Sequence, residues 1–472
     1  MADIRPFRAF RYGYGNGNDP QRVTPAQVVT QPYDKITPAL QDRYYAASPY
    51  NLVRIILGRR EPSDNPENNV YSRAAAYFRD WRQQGILRRD SLPSLYVYSQ
   101  RFTLPGSSPG SSSAELERRG FIALGRIEDY SAGVVFRHEH TLAKPKADRL
   151  GLLRATRAHF GQIFMLYEDS GQVESLLSTP AEPDIAVTDE YGVLHRVWQI
   201  SDPHLIDSVR TAMSDKKLII ADGHHRYETA LNYRNERRNN ERRDHERGNN
   251  DRRAADSSFT AQPDAAPYDF VMMNFVNLNS PALHILPTHR VVHGLTSFSE
   301  DAFRNSARAF FDIDEIDASL DAPRATAMLR ECGRTGASIL AVTPNRAFLL
   351  HHPNPNVPQV FAGLSIRQQA LDVVQLHKVL LENVLHLSEE SIRNQQNISY
   401  IRDAAEALAC VQPDHVQSDQ AQGDPRANIV FLMNPCRMKQ VRDIAFAGEV
   451  MPQKSTDFYP KLLSGLTVYA LE

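Results

Sequence analysis

Residues 217–230 read KLIIADGHHRYETA. Leu218, Ile219, Ile220 and Ala221 form a short apolar run that predicts a buried strand, and Asp222-Gly223 ends it. Tyr227, Ala230 and Leu231 then recur at helical spacing. A strand that turns through glycine into a helix lets backbone N–H groups and the positive end of the helix dipole come close to an anion. His224, His225 and Arg226 fall in the first helical turn, where they can meet a phosphate or carboxylate, or handle a proton or a metal. The same pattern also describes an ordinary strand-turn-helix with surface or core histidines, and both readings stay open here.

Composition bounds the rest. The 472 residues are 42% hydrophobic and 23% charged, enough for two or three domains with a sizeable core. Lysine and arginine number 54 against 56 acidic residues, and a net charge of −2 supplies no global attraction to nucleic acid or anionic membrane. Three scattered cysteines, Cys332, Cys410 and Cys436, fit neither a disulfide framework nor a paired-cysteine metal knuckle. The N-terminus lacks the apolar region of a signal peptide, and no run of about 18 apolar residues occurs, so a cytoplasmic protein is expected.

Two further stretches concentrate chemistry. Residues 133–156 pass from a strand through His138-Glu139-His140 into a helix, with Arg137, Lys144, Lys146 and Arg149 making the segment basic. The spacing is not that of the zinc motif with two histidines one helical turn apart. A divalent metal held by some of His138, Glu139, His140, His224 and His225 remains an alternative. Residues 451–466 place Lys454, Ser455 and Thr456 between Pro452 and Pro460, with Lys461 directly after, a basic-hydroxyl loop suited to phosphate although it lacks the glycine frame of a Walker A loop. Residues 234–253 carry eight arginines against five acidic residues and no aliphatic side chain. Apart from a possible extension of the preceding helix, 234–267 is expected to be a disordered insertion between an N-terminal lobe, 1–233, and a C-terminal lobe, 268–472. Smaller expectations are a helix from Pro38 capped by Thr37, a strand at Asn51–Leu57, and helices at 203–213, 370–387 and 398–411.

Taken in order, IRPFRA, QPYDKIT, RHEHTLAKPKADR, IADGHHRYETA and MPQKSTDFYPKLLSGL resemble the bacterial and archaeal family numbered 1015 among the domains of unknown function. Gln31 and Gln453 stand where that family's pattern has proline. A strand followed by G-x-[HR]-R and a helix also resembles the phosphate-binding box of the ParB and sulfiredoxin superfamily, which includes nucleotidases, CTP-binding proteins and free-serine kinases. Carried over, Gly223, His225 and Arg226 match the box, while His224 replaces the reactive cysteine of sulfiredoxin. The kinase likeness implies a carboxylate base, for which Glu139 and Asp34 are the candidates by role.

The fold expected is α+β, a mixed sheet with flanking helices in two lobes, with a ParB/sulfiredoxin-like element around the DGHHR box. The function expected is nucleotide-dependent phosphoryl transfer to a small hydroxyl metabolite, with ATP or ADP and Mg²⁺. Glu139, Asp222 and His225 are the catalytic candidates; Gly223, His224, Arg226, Lys144, Lys146, Lys454, Ser455 and Thr456 are the nucleotide contacts. The alternatives are a nucleotide-binding regulator without turnover and a metal-dependent phosphohydrolase. Membrane and nucleic-acid partners are not expected.

Overall fold

The run Leu218–Ala221 is buried throughout and forms most of a strand in the computed structural model. The structure describes residues 2–13, 23–105, 114–139, 143–180, 182–250, 265–317, 319–412 and 427–472. The chain forms two compact units. The first comprises Met1–Phe136, Thr141–Leu283 and Pro460–Glu472, and the second Arg137–His140 and His284–Tyr459.

The first unit is built on a nine-stranded mixed sheet. Its strands are β1 (Ile4–Arg5), β2 (Leu95–Phe102), β3 (Leu116–Arg126), β4 (Val135–Phe136), β5 (Ile163–Tyr167), β6 (Ile185–Thr188), β7 (Leu194–Ile200), β8 (Leu218–Asp222) and β9 (Phe270–Asn277). They lie in the order β4-β8-β5-β9-β3-β2-β7-β6, with β1 paired to β3. The pairs β8/β4 and β9/β5 are parallel and the others antiparallel. Strand β9 is buried along its whole length, which fits a central strand covered on both faces. Helix α1 is Val70–Gln83, α2 Ala143–Thr156, α3 Pro203–Met213 and α4 His224–Asn250. Asp202 caps α3 by accepting the His204 N–H at 2.9 Å, and Pro203 occupies the first helical position. Ile206, Val209 and Met213 of α3 and Tyr227 and Ala230 of α4 share one core with Leu218, Ile220 and Met273 of the sheet. Helix α2 packs against both α1 and α4.

The second unit holds a six-stranded antiparallel sheet of β10 (His289–His293), β11 (Asp312–Ile316), β12 (Ile339–Val342), β13 (Ala347–His351), β14 (Ile398–Ile401) and β15 (Ala427–Met433). Their order is β11-β13-β12-β15-β10-β14. A separate ribbon pairs His284–Leu286 with Asp457–Tyr459. Val291, Leu340, Val342, Val430 and Leu432 anchor this unit's core.

The mixed sheet with flanking helices agrees with the fold expected from sequence, and the expected helices from Pro38 and Pro203 are present. Three local expectations are corrected. Asn51–Leu57 contains a helical turn, Val53–Ile56, because the Asn51 side chain accepts the Val53 N–H at 2.9 Å and donates to the Gln27 carbonyl at 2.8 Å. That amide overrides the strand preference of the β-branched residues. Residues 398–411 divide into strand β14 and a helix, Ala404–Ala409, started by Asp403 as N-cap. Residues 370–387 are not one α-helix but include a π-helix, Gln375–Val384. The arginine-rich run continues α4 to Asn250, while 251–264, the centre of the expected insertion, lies outside the described residues. Strand β9 and residues 460–472 are parts of the first unit, so its boundaries differ from 1–233.

Two of the histidines buried in the second unit bear on its pH dependence. His289 Nδ1 accepts the Met433 N–H at 3.1 Å, and His377, on the π-helix, is 7% exposed. Burial, reinforced by the nearby Arg290 charge, pushes His289 down to about 4 and His377 down to about 3. In the unfolded chain both protonate near pH 6.5, so their contribution is full above that value and lost as pH falls towards the folded values. The slope is about 1.4 kcal/mol per pH unit per histidine. Burial pushes the Asp372 carboxyl up to about 6, which acts in the opposite sense below that pH. Urea titrations at pH 7, 6 and 5 are expected to show a smaller loss of stability on acidification for His377→Leu than for the native chain.

Candidate functional site

Strand β8 delivers Asp222 to its C-terminal end, and Gly223 turns the chain with φ +93 into α4. Only glycine adopts this backbone without strain, and a Cβ there would lie 3.0 Å from the Arg226 guanidinium. The Gly223 carbonyl accepts the Tyr227 N–H at 3.0 Å, closing the first turn. Both Asp222 oxygens are engaged: Lys461 Nζ lies 3.0 Å from Oδ1 and Arg226 Nη2 2.7 Å from Oδ2. Burial raises this carboxyl, but Lys461, Arg226 and Lys35 outweigh it and hold Asp222 well below the usual carboxylate range. Arg226 also donates to the Gln162 carbonyl at 2.5 Å, which fixes its plane.

Lys461 reaches Asp222 because the C-terminal segment is threaded through the first unit by backbone hydrogen bonds. Thr30 and Ser464 exchange both of theirs, Gly465 donates to Phe160, Val468 pairs with Phe10, and Leu471 donates to Arg157. The Lys461 carbonyl accepts from Gln100 at 2.8 Å. Arg118, 1% exposed on β3, donates to the Gln100 side chain and to the Pro460 carbonyl, and its guanidinium lies 4.7 Å from the Phe164 ring centre. Burial pushes Arg118 down to about 10, opposed by Tyr98 and Asp222.

The Tyr33-Asp34-Lys35 turn stands beside this cluster. Arg149 of α2 lies over the Tyr33 ring at 4.1 Å and donates to the Ile56 carbonyl at 2.6 Å. Burial and Asp34 push the Tyr33 phenol up to about 12, against the lowering effect of Arg149 and Arg226. Tyr33, Arg149, His159, Arg226, Thr229 and Ser464 contribute the polar lining of an open pocket whose water-accessible volume is about 70 Å³. Ile56, Leu152, Leu153 and Phe160 supply its apolar wall. A pocket with an aliphatic and aromatic wall and two arginines suits a ligand that is flat and apolar at one end and anionic at the other.

The sequence-derived residues fall into two groups, one in each unit. In the first unit, Asp222, Gly223, His224, His225 and Arg226 form the strand-to-helix junction, with His224 buried. Lys146 Nζ is paired with Glu228 Oε2 at 2.9 Å, joining α2 to α4. The side chain of Lys144 lies outside the described residues. In the second unit, Glu139 Oε1 accepts the Lys454 N–H at 3.1 Å, and His138 Nε2 and Thr456 Oγ1 are 2.9 Å apart. Ser455 Oγ donates to the Pro452 carbonyl at 2.5 Å, so one hydroxyl of this loop bonds within it and the other pairs with His138. His140 is outside the described residues.

Sequence reasoning gave no site role to Lys35, Tyr33, Gln162 or Arg118. Lys35 and Tyr33 sit in a Pro-Tyr-Asp-Lys turn that local pattern assigns to a turn alone. Gln162 and Arg118 carry no local signal of burial. Gly223→Ala is expected to cost about 1–2 kcal/mol through its left-handed backbone, with further loss from displacing Arg226. Asp222→Asn, which leaves two cations without their carboxylate, is expected to cost about 3–5 kcal/mol, and Lys461→Met less. Thermal and urea unfolding of the three variants checks this order.

No curated protein matches the chain. Among solved structures, a free serine kinase in complex with AMP is similar at 12% identity and TM-score 0.31, over 69% of this chain and 83% of that one. A conserved hypothetical protein from Pyrococcus furiosus is similar at 10% identity and TM-score 0.32, over 70% and 89%. SbnI with a C-terminal truncation, from Staphylococcus aureus, is similar at 8% identity and TM-score 0.32, over 73% and 85%. The model of the family "Protein of unknown function (DUF1015)" matches residues 4–374, most of the chain, and the chain belongs to that family.

Proposed function

We propose that the first unit binds a nucleotide and transfers a phosphoryl group from it to a small hydroxyl metabolite. The observation that carries the reading is the junction at Asp222-Gly223: an ionised carboxylate that orients Lys461 and Arg226 beside the start of a long helix and an arginine-lined pocket. Helix N-terminal amides and oriented cations are what a polyphosphate needs, and phosphoryl transfer asks a protein chiefly for charge neutralisation and positioning.

In this reading the base lies against the apolar wall of the pocket and the phosphates lie towards Arg226 and Arg149. Magnesium carried by the nucleotide would supply further neutralisation of phosphate charge beside Arg226 and Arg149. The acceptor hydroxyl forms the new oxygen–phosphorus bond as the bond to the nucleotide's leaving phosphate oxygen breaks. The hydroxyl proton passes to a base. Asp222, held ionised by its cations, is a weak proton acceptor and serves as the positioning group. His225, in the first turn of α4 beside Asp222-Gly223, is the proton acceptor within this unit, because it brings an imidazole to the junction.

Phosphorus NMR of the purified chain with ATP or ADP, Mg²⁺ and a pool of hydroxyl metabolites that includes serine is expected to show a new phosphomonoester signal. The signal is expected to fall by two orders of magnitude or more with Arg226→Ala and with His225→Ala, and to vanish when Mg²⁺ is chelated. Nucleotide binding without turnover against the whole pool, or turnover that survives Arg226→Ala, overturns the assignment.

A further inference from the structure

Strand β11 is an edge of the second unit's sheet, and its neighbour β13 ends at His351. Asp312 and His351 are direct cross-strand partners, so their side chains emerge on the same face, and Asp314 follows on that face two residues along. Continued alternation would send the His352 side chain to the opposite face. Instead His352 adopts φ +45, a left-handed backbone uncommon outside glycine, and its imidazole comes to 4.5 Å from that of His351, centre to centre.

The hydrogen-bonding groups at this corner do not balance. His351 Nε2 lies 3.0 Å from Asp314 Oδ2, which places the proton of a neutral ring on Nε2 and leaves a lone pair on Nδ1. His352 Nδ1 lies 2.9 Å from that lone pair and 3.3 Å from Asp312 Oδ2. One N–H at most faces two acceptors. A dication in place of that proton satisfies all three atoms. Around zinc, imidazole nitrogens at about 2.0–2.1 Å stand about 3.3–3.4 Å apart, so the two histidine nitrogens need to part by only a few tenths of an ångström to admit the ion. The three ligand atoms lie within 4.8 Å of one another. Asp314 on the far nitrogen of His351 supplies the outer carboxylate that orients metal-bound imidazoles and raises their basicity.

We propose that Asp312, His351 and His352 form a divalent transition-metal site of the zinc type, with Asp314 as the residue that positions His351. The ligand set is two imidazoles and one carboxylate. Asp312 and His352 are exposed and His351 is half-buried, so a fourth position is open to solvent or to a further ligand. The site is independent of the phosphoryl-transfer reading, since every residue in it belongs to the second unit.

The test is Zn²⁺ titration of the chelator-treated full chain, read by calorimetry and by competition with a chromophoric chelator. One equivalent is expected to bind to the native protein and to raise its melting temperature. Binding at that equivalent is expected to be lost in His351→Ala and Asp312→Asn, and weakened about 10–100-fold with stoichiometry retained in Asp314→Asn. His352→Gly removes a ligand while relieving the left-handed backbone. It is expected to melt higher than the native chain without metal and to gain nothing from Zn²⁺. Absence of saturable binding, or binding unchanged in both His351→Ala and His352→Gly, overturns the assignment.

Discussion

The first unit depends on one ion cluster, Asp222 held between Lys461 and Arg226. Lys461 is 9% exposed in its side chain, and a cation so enclosed is stable only with its counter-charge in place. The cluster therefore fixes three things together: the end of β8, the first turn of α4, and the course of the C-terminal segment. It also sets the charge state of the junction, because two cations keep Asp222 ionised despite its burial. Of this cluster Arg226 lines the pocket, beside Arg149, and its guanidinium is already held by Asp222 and the Gln162 carbonyl.

Both units secure their C-terminal segments with a buried arginine. Arg118 reaches the Pro460 carbonyl in the first unit, and in the second Arg290, 2% exposed, donates to the Lys454 carbonyl at 2.9 Å. A guanidinium has five donors in a fixed plane and can satisfy several carbonyls where water is excluded. Each arginine also lies over an aromatic ring, Phe164 for Arg118 and Tyr400 for Arg290. Segments without a long strand or helix of their own are thus held by side-chain donors and isolated backbone pairs.

Within the second unit the two groups of histidines have different surroundings. His289 and His377 are enclosed and kept neutral by burial beside the Arg290 charge. His351 and His352 stand at the sheet edge with two carboxylates within hydrogen-bonding distance. The first setting disfavours any cation. The second concentrates lone pairs and negative charge, and uses a left-handed residue to do so.

The strand-glycine-helix junction at 218–230 is legible in the sequence, because its signals are local: a period of apolar residues, a glycine at the turn, and a second period. The helix at Pro203–Met213 is likewise legible there, and so is membership of the family, four of whose five quoted motifs lie within the matched residues 4–374. The sequence was silent on what those motifs touch. Lys461 lies 239 residues from Asp222, and no local pattern separates it from Lys454 in the same basic stretch. Tertiary structure divided that stretch, giving Lys454 to the second unit and Lys461 to the first. Asn51–Leu57 is β-branched and reads as strand, yet a side-chain amide bonded across to Gln27 makes it a helical turn. The corner of Asp312, His351 and His352 was invisible for the same reason, since a cross-strand register and one left-handed residue assemble it. Local propensity acts over a few residues, whereas burial, register and charge pairing are settled only when distant segments meet.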